Sequence, residues 1–231
     1  MGSFAQSVRT AFALIFSADQ EVYAAVWTSV STSGWSTVIA SLIGIPIGMT
    51  IGVSDFPLKR LSVILLNSLM AMPTVVIGLL LFGLLSRQGM LGGFGLLFTP
   101  KAIILGQSVL ATPIIANYAL AAVRGADVRI LPTALTLGAG PLQSFAQLSN
   151  EIRFGIMAAV IAGFGRVISE VGAAMMLGGN IRGYTRTMTT AIALETSKGE
   201  FAFGLALGMV LMLISFSINI GLSFMQERRH E

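Results

Sequence analysis

Five long apolar segments are the feature of this sequence that most limits its possible folds. About 20 helical residues cross the roughly 30 Å hydrocarbon core of a bilayer, and each segment reaches that length. Because a bilayer offers no water to unpaired backbone groups, we expect each segment to form an α-helix. The predicted fold class is therefore all-α, a polytopic transmembrane helical bundle. Its five spans cover about Trp27 to Val53, Leu61 to Ser86, Ala102 to Val123, Ile152 to Gly178 and Phe201 to Met225.

The charge content agrees with a membrane protein. Only 10% of the 231 residues are charged and 55% are hydrophobic, whereas soluble domains carry about 25% charged residues. The net charge of +4 is interpreted as loop charge that reflects membrane orientation, so a lipid membrane is the expected partner and nucleic acid is not. The N-terminal stretch MGSFAQSVRTAFALIF has no small-residue cleavage site, and it predicts an amphipathic helix, not a signal peptide.

Several kinds of site lack the residues they need. The chain has no cysteine and one histidine, His230, so thiol chemistry and multi-histidine metal sites are excluded. His230 stands in the charged tail QERRHE and is interpreted as a solvated residue. No segment fits the pattern G-x-x-x-x-G-K-[ST], so we expect no ATP-binding P-loop on this chain.

Three glycines in the first span are spaced four residues apart, at Gly44, Gly48 and Gly52. That spacing places them on one helix face, where the missing side chains let another helix approach closely. We therefore expect this face to be a packing surface. Three prolines also fall inside spans, where each removes a backbone hydrogen bond and favours a kink: Pro46, Pro73 and Pro113.

A semi-polar segment, TALTLGAGPLQSFAQLSNEIRF, separates the third span from the fourth. Gly138 and Gly140 interrupt its helical pattern, and Pro141 suits the first turn of a new helix. The segment therefore predicts a short helix, a bend and a second, amphipathic helix, whose apolar stripe is Leu142, Phe145, Leu148 and Ile152. Helices this short need a packing partner. That partner is another protein or, alternatively, the lipid surface.

The same segment resembles the cytoplasmic loop of permease subunits of ATP-binding-cassette (ABC) importers. That loop reads E-A-A, three residues, G, nine residues, then I-x-L-P. Gly138 matches the glycine and Leu148 stands at the isoleucine place, while Pro132, Thr133 and Ala134 occupy the E-A-A places. The chain departs from the pattern where Pro132 replaces the glutamate, Asn150 the leucine and Glu151 the final proline.

Other blocks are similar to the molybdate, sulfate and tungstate branch of these permeases. They include MPTVVIGLLL from Met72, LFTPKAII from Leu97 and ALAAVRGADVRILPTALTLGA from Ala119. The block GFGRVISEVGAAMMLGGN, Gly163 to Asn180, resembles the branch signature R-x-x-x-E-[FV]-G-A, and NIRGYTRTMTTAIALETSKGEF is most similar to tungstate permeases. The resemblance implies a type I ABC importer permease, with residues 1–231 as one transmembrane permease domain.

In such importers the loop, here about residues 125–151, forms a coupling helix that docks into a cleft on a separate ATPase. The resemblance thus implies a homodimer of permeases, two copies of a cytoplasmic P-loop ATPase that holds ATP and Mg²⁺, and an extracytoplasmic oxyanion-binding protein. It implies no cofactor on this chain. The residues expected to couple to the ATPase, with the last three as buried anchors, are Ala134, Leu135, Gly138, Ala139, Leu142, Phe145 and Leu148.

A cytoplasmic coupling loop would fix the orientation of every other loop. Five crossings then put the N-terminus outside and the C-terminus in the cytoplasm of a bacterial or archaeal cell, with the chain in the cytoplasmic (inner) membrane. The Lys and Arg count on this topology leans slightly in the direction of the positive-inside rule. The inside residues are Lys59, Arg60, Arg124, Arg129, Arg153, Arg228 and Arg229, and the outside ones are Arg9, Arg87, Lys101, Arg182, Arg186 and Lys198.

Two ionisable residues, Arg166 and Glu170, lie deep in the fourth span. Ionisable groups at that depth cost roughly 2.5 to 3.5 kcal/mol each, so they usually pair or face the interior of a bundle. Their spacing of four residues predicts an ion pair on one helix face. Two interpretations remain open: a pair that fixes helix packing, or a pair that lines the anion path.

Two further arginines, Arg182 and Arg186, follow the fourth span near several threonines. Guanidinium and hydroxyl groups are suitable donors for a tetrahedral oxyanion. The two arginines are interpreted as oxyanion contacts, as contacts for an acidic surface of the binding protein, or as solvent-facing residues.

Two rival functions belong to other classes. A membrane-embedded enzyme would need clustered carboxylates, a serine with a base, or a set of metal ligands, but Glu170 is the only carboxylate well inside a predicted span. A stand-alone channel or secondary carrier would leave the coupling segment unexplained. ATP dependence of uptake separates the importer from that second rival.

Overall fold

The computed structural model describes residues 4–17, 19–127 and 129–227, and this part of the chain forms α-helices joined by turns. His230, predicted to be solvated, and Arg228 and Arg229, predicted to lie on the cytoplasmic side, fall outside the described residues. One 3₁₀ turn, Gly92–Phe94, is also present. The α-helices are α1 (Phe4–Phe16), α2 (Gln20–Val53), α3 (Lys59–Met70), α4 (Thr74–Leu85), α5 (Pro100–Arg124), α6 (Ile130–Thr136), α7 (Pro141–Glu151), α8 (Arg153–Ile168), α9 (Gly172–Gly178), α10 (Met188–Lys198) and α11 (Phe201–Glu227).

Three helices, α2, α5 and α11, are long and apolar enough to cross a membrane alone. Two further crossings are bent helix pairs: α3 and α4 meet at 94°, and α8 and α9 meet at 63°. With each pair taken as one span, the described residues contain the five predicted spans. The first span begins earlier than predicted, because Asp19 Oδ1 accepts hydrogen bonds from the amides of Glu21 and Val22 at 3.0 and 3.1 Å and caps α2.

The second and fourth spans are broken, which corrects the prediction of continuous helices. Between α3 and α4, Pro73 has no amide hydrogen and disfavours helical backbone at the residue before it, so its predicted kink becomes a full break. The break between α8 and α9 contains no proline, and it was not predicted. Pro46 and Pro113, by contrast, lie inside uninterrupted α2 and α5.

The glycine face of α2 packs against α5, as predicted. A Cβ atom placed on Gly48 would lie only 2.1 Å from the carbonyl oxygen of Ala116, and one on Gly44 would lie 2.8 Å from that of Thr112. Gly52 is crowded in the same way by α5. The two backbones therefore approach more closely than any residue with a side chain would permit.

Buried hydrogen bonds add a third helix to this pair. The Ser36 hydroxyl of α2 donates to Gln107 Oε1 of α5 at 3.0 Å, and Gln107 Nε2 donates to the carbonyl oxygen of Val167 in α8 at 3.1 Å. All three residues are buried. Such bonds between membrane helices contribute about 0.6 kcal/mol each on average, and here they fix α2, α5 and α8 in register.

Helix α1 packs against α11, and α10 and α11 pack against the first half of α2. Their shared core contains Val22, Ala25, Ile168, Met188, Ala191 and Leu207. In α1, Ala11 is fully buried while Phe12 and Phe16 are 48% and 83% exposed. This one-sided burial agrees with the predicted amphipathic helix, whereas α10 was not predicted as a separate element.

Replacing Gly48 with alanine should destabilise the fold by about 1–3 kcal/mol, the usual cost of overpacking an interior. Gly34 lies on the same helix with no atom within 4 Å of its Cβ position. Gly34→Ala is therefore the matched control, and it should be neutral or up to about 1 kcal/mol stabilising because alanine favours helix. Thermal unfolding of both variants in detergent measures the difference. Equal unfolding midpoints would contradict the close packing of α2 on α5.

Candidate functional site

The segment between α5 and α8 folds as a helical hairpin, α6 and α7, with the predicted bend at Gly138. A Schellman motif ends α6: the Gly138 amide donates to the Leu135 carbonyl oxygen at 3.0 Å, and the Ala139 amide donates to that of Ala134 at 3.0 Å. Gly138 has a φ of +83°, a left-handed conformation that costs residues with a side chain about 1–2 kcal/mol. The bend is therefore fixed by the backbone itself.

The second helix of the hairpin starts at a locally determined point. Pro141 occupies the first turn of α7, as predicted, where its missing amide hydrogen costs no hydrogen bond. The side chain of Gln143 reaches back, and its Oε1 accepts a hydrogen bond from the Gly140 amide at 2.9 Å. Hydrogen bonds between residues close together in the sequence therefore fix the backbone on both sides of the bend.

The three predicted anchors of α7 lie in three different environments. Leu148 is only 2% exposed and packs against Met49 of α2 and Ile152. Phe145 is half-buried against the same cluster, whereas Leu142 is 82% exposed. The prediction of three equivalent anchors is corrected accordingly: Leu148 and Phe145 pack α7 against the membrane bundle, and of the three only Leu142 is largely exposed.

Exposed leucines lie on both sides of the bend. Leu135, Leu137 and Leu142 are 61%, 82% and 82% exposed, and we call these three residues the coupling face. Leu137, the residue that follows α6 and precedes Gly138, was not among the predicted coupling residues. Large exposed leucines on a hairpin outside the spans indicate a surface that another protein or the membrane covers.

An open cleft of about 660 Å³ separates the two helices of the hairpin. Three predicted coupling residues, Ala134, Gly138 and Ala139, line it, and the two alanines are half-buried. Gln143 and Gln147 supply polar groups to the same cleft. These small residues therefore shape the cleft, which Leu137 also lines.

An exposed ion pair stands at the start of the hairpin. Arg129 Nη2 lies 2.7 Å from Asp127 Oδ2. The hydrogen bonds from the Arg129 side chain and backbone amide lower the pKa of Asp127 to about 2. Asp127 therefore stays ionised throughout the physiological pH range.

The predicted ion pair within the fourth span is formed. Arg166 Nη1 lies 2.8 Å from Glu170 Oε2. The two side chains differ in burial, since that of Arg166 is 39% exposed and that of Glu170 only 3%. Glu170 lies in the break after α8, not on a continuous helix as the spacing suggested.

Glu170 also organises the break itself. Its Oε1 accepts a hydrogen bond from the Ala173 amide at 3.1 Å, at the start of α9. Its backbone carbonyl oxygen accepts from Thr189 Oγ1 of α10 at 2.7 Å. The buried carboxylate is thus shared between a cation and a helix start, which explains how a break without proline is stabilised.

Arg182 and Arg186 are brought together by an acidic residue from α2. Arg182 forms a two-point ion pair with Glu21, and Arg186 Nη1 lies 2.7 Å from Glu21 Oε1 and 3.3 Å from Glu195 Oε1. Glu21 raises the pKa of Arg182 above its ordinary value through these hydrogen bonds. Lys198 also contacts Glu195, at 3.1 Å.

This cluster changes the interpretation of both arginines. Arg186 is 8% exposed, so a solvent-facing role is wrong for it. Arg182 is exposed but already engaged by Glu21. Glu21 was not predicted as their partner, because about 160 residues separate it from the two arginines and only tertiary packing brings them together.

Comparison with known proteins places these features in a family. Residues 44–230 match the model of a family described as binding-protein-dependent transport system inner membrane component. The chain is 42% identical over 229 residues, 98% of this chain and 100% of the relative, to the tungstate uptake system permease protein TupB of Peptoclostridium acidaminophilum. It is 43% identical to TupB of Campylobacter jejuni over 91% of this chain and 88% of that protein.

A solved structure has the same fold. The MetNI methionine ABC transporter in an inward-facing conformation matches with a TM-score of 0.74 and 17% identity, over 90% of this chain and 95% of that one. This chain therefore belongs to the binding-protein-dependent transport system inner membrane components, the non-catalytic permease subunits of ABC importers.

Proposed function

We propose that this permease carries tungstate into the cytoplasm, driven by ATP hydrolysis on a separate subunit. The observation that carries the proposal is the 42% identity to a tungstate uptake permease over 98% of this chain and 100% of the relative. Because the match runs along both chains, every span and loop of one has its counterpart in the other. Molybdate and sulfate are the alternative cargoes, since they share the tetrahedral oxyanion chemistry.

The working assembly in this proposal is a homodimer of permeases. It binds two copies of a cytoplasmic P-loop ATPase, which hold the ATP and Mg²⁺, and an external oxyanion-binding protein delivers the cargo. Residues 1–231 act as a single permease domain that needs no cofactor of its own. Five spans of one chain are too few to enclose a path, and two copies would supply ten.

The orientation follows from the position of the ATPase. If the hairpin meets a cytoplasmic ATPase, the loop between the third and fourth spans is cytoplasmic. The N-terminus is then outside and the C-terminus inside the cytoplasmic membrane. A reporter fused to the C-terminus should be active in the cytoplasm.

The hairpin is built to transmit movement between the ATPase and the spans. Its coupling face offers Leu135, Leu137 and Leu142 to the partner, and central apolar residues usually carry most of the energy of an interface. Behind that face, Leu148 is buried against Met49, which belongs to α2. A displacement of the coupling face therefore reaches the first span through packed side chains.

The rival functions fit the contacts less well. A stand-alone channel or secondary carrier would leave an exposed, well-capped hairpin without a role. A membrane-embedded enzyme would need a free carboxylate or base, but Glu170 is already engaged by Arg166 and the Ala173 amide. Uptake that needs ATP separates the importer from the first rival.

Gly138→Val should uncouple ATP hydrolysis from uptake while the transporter still assembles. Nothing lies within 4 Å of the Gly138 Cβ position, so the effect comes from the backbone. A strain of about 1–2 kcal/mol corresponds to a fall of roughly 5- to 30-fold in the population of the native bend. Tungstate transported per ATP hydrolysed in proteoliposomes is the measurement. Asparagine tolerates the left-handed conformation, so Gly138→Asn is the control and should keep its coupling. Wild-type coupling in the Gly138→Val variant would refute this role for the bend.

Leu142→Asp should weaken binding of the ATPase subunit by about 30-fold, as expected for the loss of a central contact worth about 2 kcal/mol. Co-purification of the ATPase with the tagged permease measures this binding. Leu58, 61% exposed and placed before α3, provides Leu58→Asp as the control with the same change in charge. Unaltered recovery of the ATPase with Leu142→Asp would remove Leu142 from the interface.

A further inference from the structure

We propose that Arg166 contacts the transported oxyanion directly, at the middle of the membrane, while Glu170 holds its side chain in place. This inference rests on the proposed function and names the binding group within the path. It answers the question that the sequence left open for this pair. Four observations support it: the depth of Arg166, its exposure, the burial of its partner and the character of the surrounding helix face.

Depth and exposure together exclude a lipid environment for the guanidinium. Arg166 lies near the middle of the bent span formed by α8 and α9. Its side chain is nevertheless 39% exposed. A charged group in contact with lipid tails at this depth is unfavourable, so such groups face a bundle interior or a water-filled space. The exposed part of Arg166 therefore faces a water-filled space, which in the proposed homodimer is the space between the two permease copies.

The two side chains of the ion pair differ in their exposure. Glu170 is 3% exposed, and its two carboxylate oxygens accept hydrogen bonds from Arg166 and from the Ala173 amide. A guanidinium has five N–H donors, and among the described residues Arg166 donates one hydrogen bond, from Nη1 to Glu170 Oε2. An anion approaching from the exposed side thus meets free donors and positive charge, while the repelling carboxylate is covered.

The other residues on this face of α8 have small side chains and are exposed. Gly165 and Ser169, beside Arg166, are both exposed. The neighbouring face of α8 is occupied, because Gly163 packs against Ile115 of α5. The side of α8 that carries Arg166 therefore has room for a tetrahedral anion next to the guanidinium.

The absence of cysteine from the chain gives a direct test. Arg166→Cys introduces the single thiol of the permease, and it is examined in the full transporter with its ATPase and binding protein in proteoliposomes. Tungstate uptake should fall at least about 10-fold, as for loss of a charge-assisted contact. Treatment with aminoethyl methanethiosulfonate, which restores a positive charge, should recover much of the uptake. The anionic sulfonatoethyl reagent should not.

Val167→Cys is the matched control, because Val167 is the next residue and is 0% exposed. Its thiol should not react with either water-soluble reagent. Tungstate should slow the labelling of Cys at position 166 in the assembled transporter. An unreactive thiol at that position, or equal effects of the two reagents on uptake, would overturn the inference.

A second comparison separates anion contact from a packing role. If the pair served only packing, the neutral double variant Arg166→Gln with Glu170→Gln should restore the uptake lost in Arg166→Gln. If Arg166 contacts the anion, the double variant should stay as low as the single one, and Arg166→Lys should retain much of the uptake. ATPase activity stimulated by the binding protein confirms assembly of each variant. Recovery in the double variant would refute anion contact.

The outcomes also distinguish this inference from the proposed function. If the wild-type transporter moves no tungstate, molybdate or sulfate with ATP, the proposed function fails and the inference falls with it. If the wild type carries tungstate and the Arg166 variants match it, only the inference fails.

Discussion

The close approach of α2 to α5 is the contact on which the other parts of this permease depend. It exists because Gly44, Gly48 and Gly52 remove side chains from one face of α2. Once those backbones touch, buried hydrogen bonds through Ser36 and Gln107 hold α8 against the same pair. In a bilayer, where the hydrophobic effect does not drive helices together, such packing and hydrogen bonding are the main sources of association.

The α6–α7 hairpin is connected to this framework at one end of α2. Leu148 and Ile152 are buried with Met49, close to the last glycine of the packing face. The hairpin therefore has a rigid inner side, fastened to the spans, and an outer side that offers leucines to a partner. A surface of that kind can pass on a movement, because its own shape is fixed by the bend at Gly138 and the contacts behind it.

The broken fourth span combines packing with charge. Its break is stabilised by Glu170, whose side chain and backbone reach α8, α9 and α10 at once. The same residue positions Arg166 on the exposed side of α8. A second electrostatic cluster, between Glu21 and the two arginines before α10, ties the start of α2 to that region. The start of the first span is therefore tied by charge to the segment that follows the fourth span.

The sequence by itself determined the fold class, the five spans, the glycine packing face, the helix–bend–helix hairpin and the Arg166–Glu170 pair. Each of these depends on local rules: apolar length, helical spacing, or the backbone limits of glycine and proline. Only the tertiary structure decided which hairpin leucines are buried and which are exposed, since Leu142 and Leu148 are equivalent in the helical pattern. The same holds for the break beside Glu170 and for the pairing of Arg182 and Arg186 with Glu21. These features depend on contacts between residues far apart in the chain. The spacing of apolar residues along a helix shows which face is apolar, but it does not show which other element packs against that face.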